Sequence, residues 1–186
     1  MPDQGGEGLF SPYLRRKRIE KACNFLHGRV LDVGCGSGSL AAFVPPDCYF
    51  GVDPDDFSLS LARTSFPRHS FSNTFPGDTD YDVIAALAVI EHVPDPSAWL
   101  ADLADKLAAG GIVVLTTPHP AMEWVHKLGA RLGIFSAHAK EQHETLIDAS
   151  AMSNIVNKAN FRVEQYFRFL WGCNQLFILS KSPVEA

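Results

Sequence analysis

Two rhythms of apolar residues alternate along the chain. Short runs are mostly apolar, at residues 30–33, where Asp32 alone interrupts, 48–52, 83–87 and 112–117, and each has Gly, Pro or Asp near its ends, as buried parallel strands do. Between them apolar residues return every three or four positions, which predicts helices. The first helix spans residues 12–27 with a stripe of Leu14, Ile19, Cys23 and Leu26, and the second carries Leu59, Leu61, Ala62 and Phe66. A third opens on Asp95 as cap and Pro96 as first helical residue, runs through Trp99, Leu100, Leu103 and Leu107, and ends at Gly110 and Gly111. A fourth opens on Asp148 and carries Met152, Ile155, Val156 and Ala159. A short strand is expected near residues 70–72, with only a short loop before Tyr81, so the crossover helix there is reduced or absent. Strands near 161–169 and 175–180 lie too close in sequence for a crossover. They predict an antiparallel hairpin on an otherwise parallel sheet. The alternation as a whole predicts an α/β fold with helices on both faces of the sheet.

Composition narrows this picture. A chain of 186 residues that is 46% hydrophobic can bury one sizeable core, so residues 1–186 are expected to form one domain with a loose end at 1–8. A net charge of -5 gives no general attraction to nucleic acid. Cys23, Cys35, Cys48 and Cys173 are scattered, and no apolar leader or run of 18 apolar residues occurs, so a reduced, cytoplasmic protein is expected.

The chemistry concentrates in residues 30–39, VLDVGCGSGS, where a strand feeds a glycine turn and is expected to continue into a helix. Such a turn could hold a dinucleotide, whose pyrophosphate would sit on backbone N–H groups at the helix start. Asp32, two residues before Gly34, would repel that pyrophosphate and suits a ligand with positive charge, such as S-adenosylmethionine with its ammonium and sulfonium groups. Asp53 follows 21 positions later at the end of the next strand, the distance at which a strand–turn–helix–strand unit returns to the same sheet edge, where an acid can accept from ribose hydroxyls. Sheet geometry puts Leu87 and Ala88, at the end of the central strand, beside the same crevice.

Residues 30–39 resemble the first motif of class I S-adenosylmethionine-dependent methyltransferases. Residues 81–118 are similar to the fourth-strand region of the group that includes ubiquinone-biosynthesis O-methyltransferases, where a strand runs into Glu-His-Val-Pro-Asp-Pro, here Glu91 to Pro96. The resemblance spans about residues 30–118 in order and spacing. It implies a Rossmann-like sheet of seven strands in the order 3-2-1-4-5-7-6. It also implies S-adenosyl-L-methionine as cofactor, with Asp32 and the turn Gly34, Cys35, Gly36 and Gly38 around the methionine portion and Asp53 at the ribose. Pro54 and Asp55 would edge the adenine, and Asn73 would meet its amino group, with Ser72 as the other candidate.

An acceptor hydroxyl needs a base with a pKa near the working pH. His92, His119, Glu123, His138 and His143 are the candidates, and His143 and His92 are the two singled out. Some relatives carry a second Glu three positions before the Glu of Glu-His; here that residue is Ala88, too few carboxylates remain for an oxygen-rich Mg²⁺ site, and no metal is expected. Residues 119–147 are expected to form an insertion over the substrate site. Within them, 121–135 combines Trp124, Leu128 and Leu132 at helical spacing with Lys127 and Arg131, as a lid over an apolar or lipid-linked acceptor, a weak membrane-surface contact or a packed helix would. The expected function is methyl transfer to a small-molecule acceptor, with a non-catalytic methyltransferase partner subunit and a nucleotide-dependent oxidoreductase as alternatives.

Overall fold

The computed structural model describes residues 11–77, 80–120 and 147–183. Seven strands form one sheet: β1 (Val30–Val33), β2 (Tyr49–Val52), β3 (Ser70–Ser72), β4 (Tyr81–Leu87), β5 (Leu107–Pro118), β6 (Phe161–Phe169) and β7 (Asn174–Lys181). Their order is β3-β2-β1-β4-β5-β7-β6, with β7 antiparallel to both β5 and β6 and the other pairings parallel. The expected order and terminal hairpin are both present. The hairpin turns at Leu170–Cys173, where Leu170, Trp171 and Gly172 have positive φ and Trp171 is almost fully exposed.

Alternation along the strands supplies the two layers of core. On one face Leu31, Ile84, Val113, Leu115 and Phe177 pack with Leu100 and Leu103 of α3 (Pro96–Ala104) and Met152 and Val156 of α4 (Ala149–Lys158). On the other, Val30, Val83, Ala85, Val114 and Leu176 pack with Ile19 and Ala22 of α1 (Ser11–Ala22). The cap residues act as their chemistry requires. Asp95 accepts from the Ser97 and Ala98 N–H groups, and Asp148 from that of Ala151. α2 (Asp56–Ser65) is capped by Asp55, which accepts from Phe57 and Ser58, and buries Leu59 and Ala62 as its spacing predicts.

Three elements depart from expectation. First, α1 ends at Ala22 and a 3-10 turn, Cys23–Phe25, replaces its last turn. Second, α3 stops at Ala104, and Leu107 begins β5 rather than ending the helix. Gly110 and Gly111 lie inside β5, within the extra residues between the Tyr81–Leu107 and Val83–Ile112 pairs, so they form a bulge and not a helix cap. Periodicity misleads here because Leu107 continues the helical stripe while its backbone pairs with Tyr81. Third, the glycine turn leads not into an α-helix but into a 3-10 turn, Ser39–Phe43. Pro45 and Pro46 follow too closely for a longer helix. Between β3 and β4 no helix occurs among the described residues, as the short loop predicts.

Candidate active site

Parallel strands β1, β2 and β4 end at one edge, and the turns that leave them surround a cavity of about 720 Å³. The glycine turn contributes Gly34, Cys35, Gly36 and Ser37, with Asp32 beneath it. From β4 come Leu87 and Ala88, and beyond them His92. α1 contributes Arg15, Arg18 and Ile19, and α2 contributes Asp55, Phe57, Ser58 and Leu61. The volume lies within the range of small-molecule sites.

The turn is held by bonds made within the protein. Gly34 and Cys35 N–H groups both donate to the Val52 carbonyl, at 2.8 and 3.1 Å, and Gly38 N–H donates to the Cys35 carbonyl at 2.9 Å. Asp53 completes the set, accepting from Gly36 N–H at 2.8 Å through Oδ2 and from Asp55 N–H at 2.9 Å through Oδ1. Gly34 itself has φ +72 and lies under Val89, whose Cγ2 would be 2.5 Å from a Cβ there. Asp32 is buried, and Tyr49 Oη donates to its Oδ2 at 2.7 Å. Burial pushes the Asp32 carboxyl up to about 7, against the Tyr49 hydrogen bond, which lowers it, while the neighbouring Asp53 charge raises it further. Burial and the same two carboxylates push the Cys35 thiol up, so it stays neutral.

Of the residues expected at the cofactor, Asp32, Gly34, Cys35, Gly36, Leu87 and Ala88 line the cavity together. Gly38 is buried behind the turn, and Asp53 and Pro54 stand outside the lining, with Asp53 bracing the turn. Asn73 is also outside it and donates to Asp56 Oδ1 at 3.1 Å. His92 is exposed on the cavity wall. His119 lies elsewhere, its N–H donating to Cys173 O and its ring beside the Arg168 guanidinium; burial and that charge lower its pKa. His143, Glu123, His138 and the whole of 121–135 fall outside the described residues.

Sequence reasoning passes over Arg15 and Arg18, a basic run that by itself suits a solvated helix face, and over Phe57, and it counts Leu61 among the apolar positions of its helix. The signal for the last two was present. Phe57 and Leu61 stand four positions apart and off the stripe of Leu59 and Ala62, and both are close to half exposed on the cavity wall. Among the described residues no group of three or more His, Cys, Asp or Glu side chains could hold a metal ion.

A mixed sheet in this order, with an acid under a glycine turn, defines the Rossmann-like methyltransferase class of folds. The chain belongs to the methyltransferase domain family, whose model matches residues 6–166. It is 33% identical over 129 residues to the ubiquinone biosynthesis O-methyltransferase of Shewanella halifaxensis, an alignment covering 60% of this chain and 55% of that one. It is 32% identical over 106 residues to the trans-aconitate 2-methyltransferase of Methylobacterium radiotolerans, covering 53% of this chain and 41% of that one. The chain thus spans about half the length of the curated relatives it matches. Its fold matches the magnesium protoporphyrin IX methyltransferase of Synechocystis PCC 6803, solved with bound SAH, with a TM-score of 0.69 at 16% identity over 91% of this chain and 84% of that one. S-adenosylmethionine is the donor of this family. No helix among the described residues is long and apolar enough to cross a membrane.

Proposed function

We propose that this protein transfers the methyl group of S-adenosylmethionine to the hydroxyl oxygen of a small-molecule acceptor. The observation that carries this reading is the state of the glycine turn. A pyrophosphate would need free backbone donors and a helix N-terminus, yet Gly34, Cys35, Gly36 and Gly38 already donate within the protein and only a 3-10 turn follows. With Asp32 beneath the turn, the site repels a dinucleotide and favours a cation. The cavity also carries Arg15 and Arg18 on the side of α1, so one wall suits an ammonium and another a carboxylate, as a zwitterionic amino-acid portion requires.

When bound, the donor supplies a methyl group on a sulfonium, open to in-line displacement by an acceptor oxygen. The work of the chain is alignment and exclusion of water. Asp32 accepts from the ammonium, and Arg15 and Arg18 present guanidinium groups to the carboxylate. Asp53 braces the turn from outside the cavity lining and would accept from ribose hydroxyls through the lone pairs its bonds to Gly36 and Asp55 leave, and Phe57 and Leu61 would flank the base. His92, on the cavity wall, and His143 are the candidates to take the acceptor proton. The apolar and basic residues of 121–135 favour an apolar or lipid-linked acceptor.

Titration calorimetry tests the reading. S-adenosylhomocysteine is expected to bind and NAD not to bind at the same concentration, and Asp53→Ala is expected to weaken S-adenosylhomocysteine about 10- to 100-fold. Binding of NAD, or unchanged affinity in Asp53→Ala, would overturn it. Cofactor binding without turnover across a panel of hydroxylated metabolites would instead favour a partner subunit.

A further inference from the structure

We propose that Tyr49 is a positioning residue for cofactor binding: its hydroxyl, bonded to Asp32 Oδ2, fixes the carboxylate beneath the glycine turn and keeps it ready to receive the ligand's ammonium. The inference rests on the assignment of Asp32 to that ammonium, and it begins in the register of β1 and β2. Val30 pairs with Tyr49 and Asp32 with Gly51, so Tyr49 is the diagonal neighbour of Asp32, within reach of an aromatic side chain. The ring lies across Gly51, and a Cβ at Gly51 would stand 2.9 Å from Tyr49 Oη, 2.9 Å from Cys35 Sγ and 2.7 Å from Phe71 Cδ1. Only a glycine opposite Asp32 leaves the path open.

The ring is held on its other sides as well. His69 meets it edge-on at 5.3 Å between centroids and Phe71 at 5.5 Å, and His69 Nε2 is fixed against the Val44 carbonyl at 3.0 Å. Among the described residues, the Tyr49 hydroxyl is the donor that reaches the Asp32 carboxylate. A buried phenol beside a carboxylate cannot ionise, so it remains a donor at every working pH; burial and Asp32 both push its pKa upward. The phenol therefore does two things. It selects one orientation of the carboxylate, and it favours the charged form against burial and against Asp53. The other groups around Asp32 are the neutral Cys35 thiol and, on the cavity walls, Arg15, Arg18, Asp55 and His92.

The test is S-adenosylhomocysteine affinity, measured by calorimetry from pH 6 to 8.5, for the wild type, Tyr49→Phe, Asp32→Asn and the double variant. The ligand's own α-amino group titrates identically whichever variant it meets, so the ratio of affinities at each pH isolates the protein's part. Tyr49→Phe keeps the ring and removes one hydrogen bond. It is expected to weaken binding about 5- to 10-fold near pH 6.5 and about 2-fold or less at pH 8.5, because an unsupported Asp32 ionises later. In the Asp32→Asn background, Tyr49→Phe is expected to add no pH-dependent loss. An affinity unchanged at all pH values, or a loss equal at all pH values and repeated in the Asp32→Asn background, would overturn the positioning role while leaving the site reading intact. Should Asp32→Asn itself bind normally, the site reading falls, and this inference with it.

Discussion

The two halves of the sheet edge differ in how they treat hydrogen bonds. Where β1 and β2 end, the N–H groups of Gly34, Cys35, Gly36 and Gly38 are all donated, and Asp32 and Asp53 are both bonded. Around the ends of β4, β5 and β7, the buried atoms Thr116 Oγ1 and Asn174 Nδ2 have no hydrogen-bond partner among the described residues. Each such group costs about 1–3 kcal/mol. The half at β1 and β2 is thus preorganised, its geometry fixed before a ligand arrives, whereas the half at β4, β5 and β7 carries, among the described residues, unmet hydrogen-bonding capacity at a cost in stability. Glu91 is buried beside them: burial raises its pKa, and its own backbone N–H, the Arg18 and His92 charges and the Thr117 hydroxyl offset only part of the rise.

The largest test of this contrast is the cost of Asp32 itself. Its folded pKa of about 7 lies above the ordinary 3.8, so the folded chain holds a proton that the unfolded chain has released. The associated stability is therefore fully present below about pH 4, is lost as pH rises toward 7, and changes little above that. Asp32→Asn is expected to remove this loss and raise stability at pH 8 by on the order of 2–4 kcal/mol, at 1.36 kcal/mol per pKa unit, while impairing S-adenosylhomocysteine binding. Urea melts of the two ligand-free proteins at pH 5 and pH 8 read the difference; curves that stay parallel across pH would mean that Asp32 is ionised at no cost.

Next in size is Gly51, which sharpens the comparison by crowding the preorganised half without touching a charged group. Gly51→Ala sets a methyl against Phe71, Cys35 and Tyr49 at distances that force something to move. Overpacking of this kind costs about 1–3 kcal/mol. Displacing the phenol is also expected to reproduce the pH-dependent affinity loss of Tyr49→Phe. Gly77→Ala, where a Cβ meets nothing within 4 Å among the described residues, serves as the control and is expected to change neither quantity. Equal melts for the two alanine variants would show that the packing around Tyr49 is loose.

The same contrast explains what could be read from the sequence. The terminal hairpin and the Asp95 and Asp148 caps were legible from runs, spacing and cap chemistry, and the strand order only from the family resemblance. Asp32 was legible as an acid in an apolar strand. The span of α3 was misread because Leu107 fits two periods at once, and the choice was made by Tyr81 pairing with it across the sheet. The missing helix after Gly38 could have been read from Pro45 and Pro46, only seven and eight positions on. Arg15 and Arg18 were harder. Nothing local in a basic run tells whether its face meets solvent or a cavity, since that depends on how α1 crosses the sheet. Tyr49 and Gly51 looked like ordinary strand residues, and their roles follow from a register that puts Gly51 opposite Asp32.

The smallest effect compares the halves most directly, because one chemical change, loss of a buried hydroxyl, is expected to have opposite signs in them. Thr116 is fully buried, pairs with Leu87 and Leu176, and bonds none of the described residues through Oγ1. Thr116→Val keeps its shape and removes the unmet group, so it is expected to stabilise the fold by about 0.5–1.5 kcal/mol, a rise in Tm of about 2–5 °C for a chain of this size. Tyr49→Phe removes a hydroxyl that is bonded and leaves Asp32 without its donor. Above pH 7, where Asp32 is ionised, it is expected to destabilise by about 1–3 kcal/mol. Thermal melts at pH 8 compare the two variants with the wild type. If both shifted Tm downward, the Thr116 hydroxyl would be satisfied in solution, and the difference drawn between the two halves of the sheet edge would not hold there.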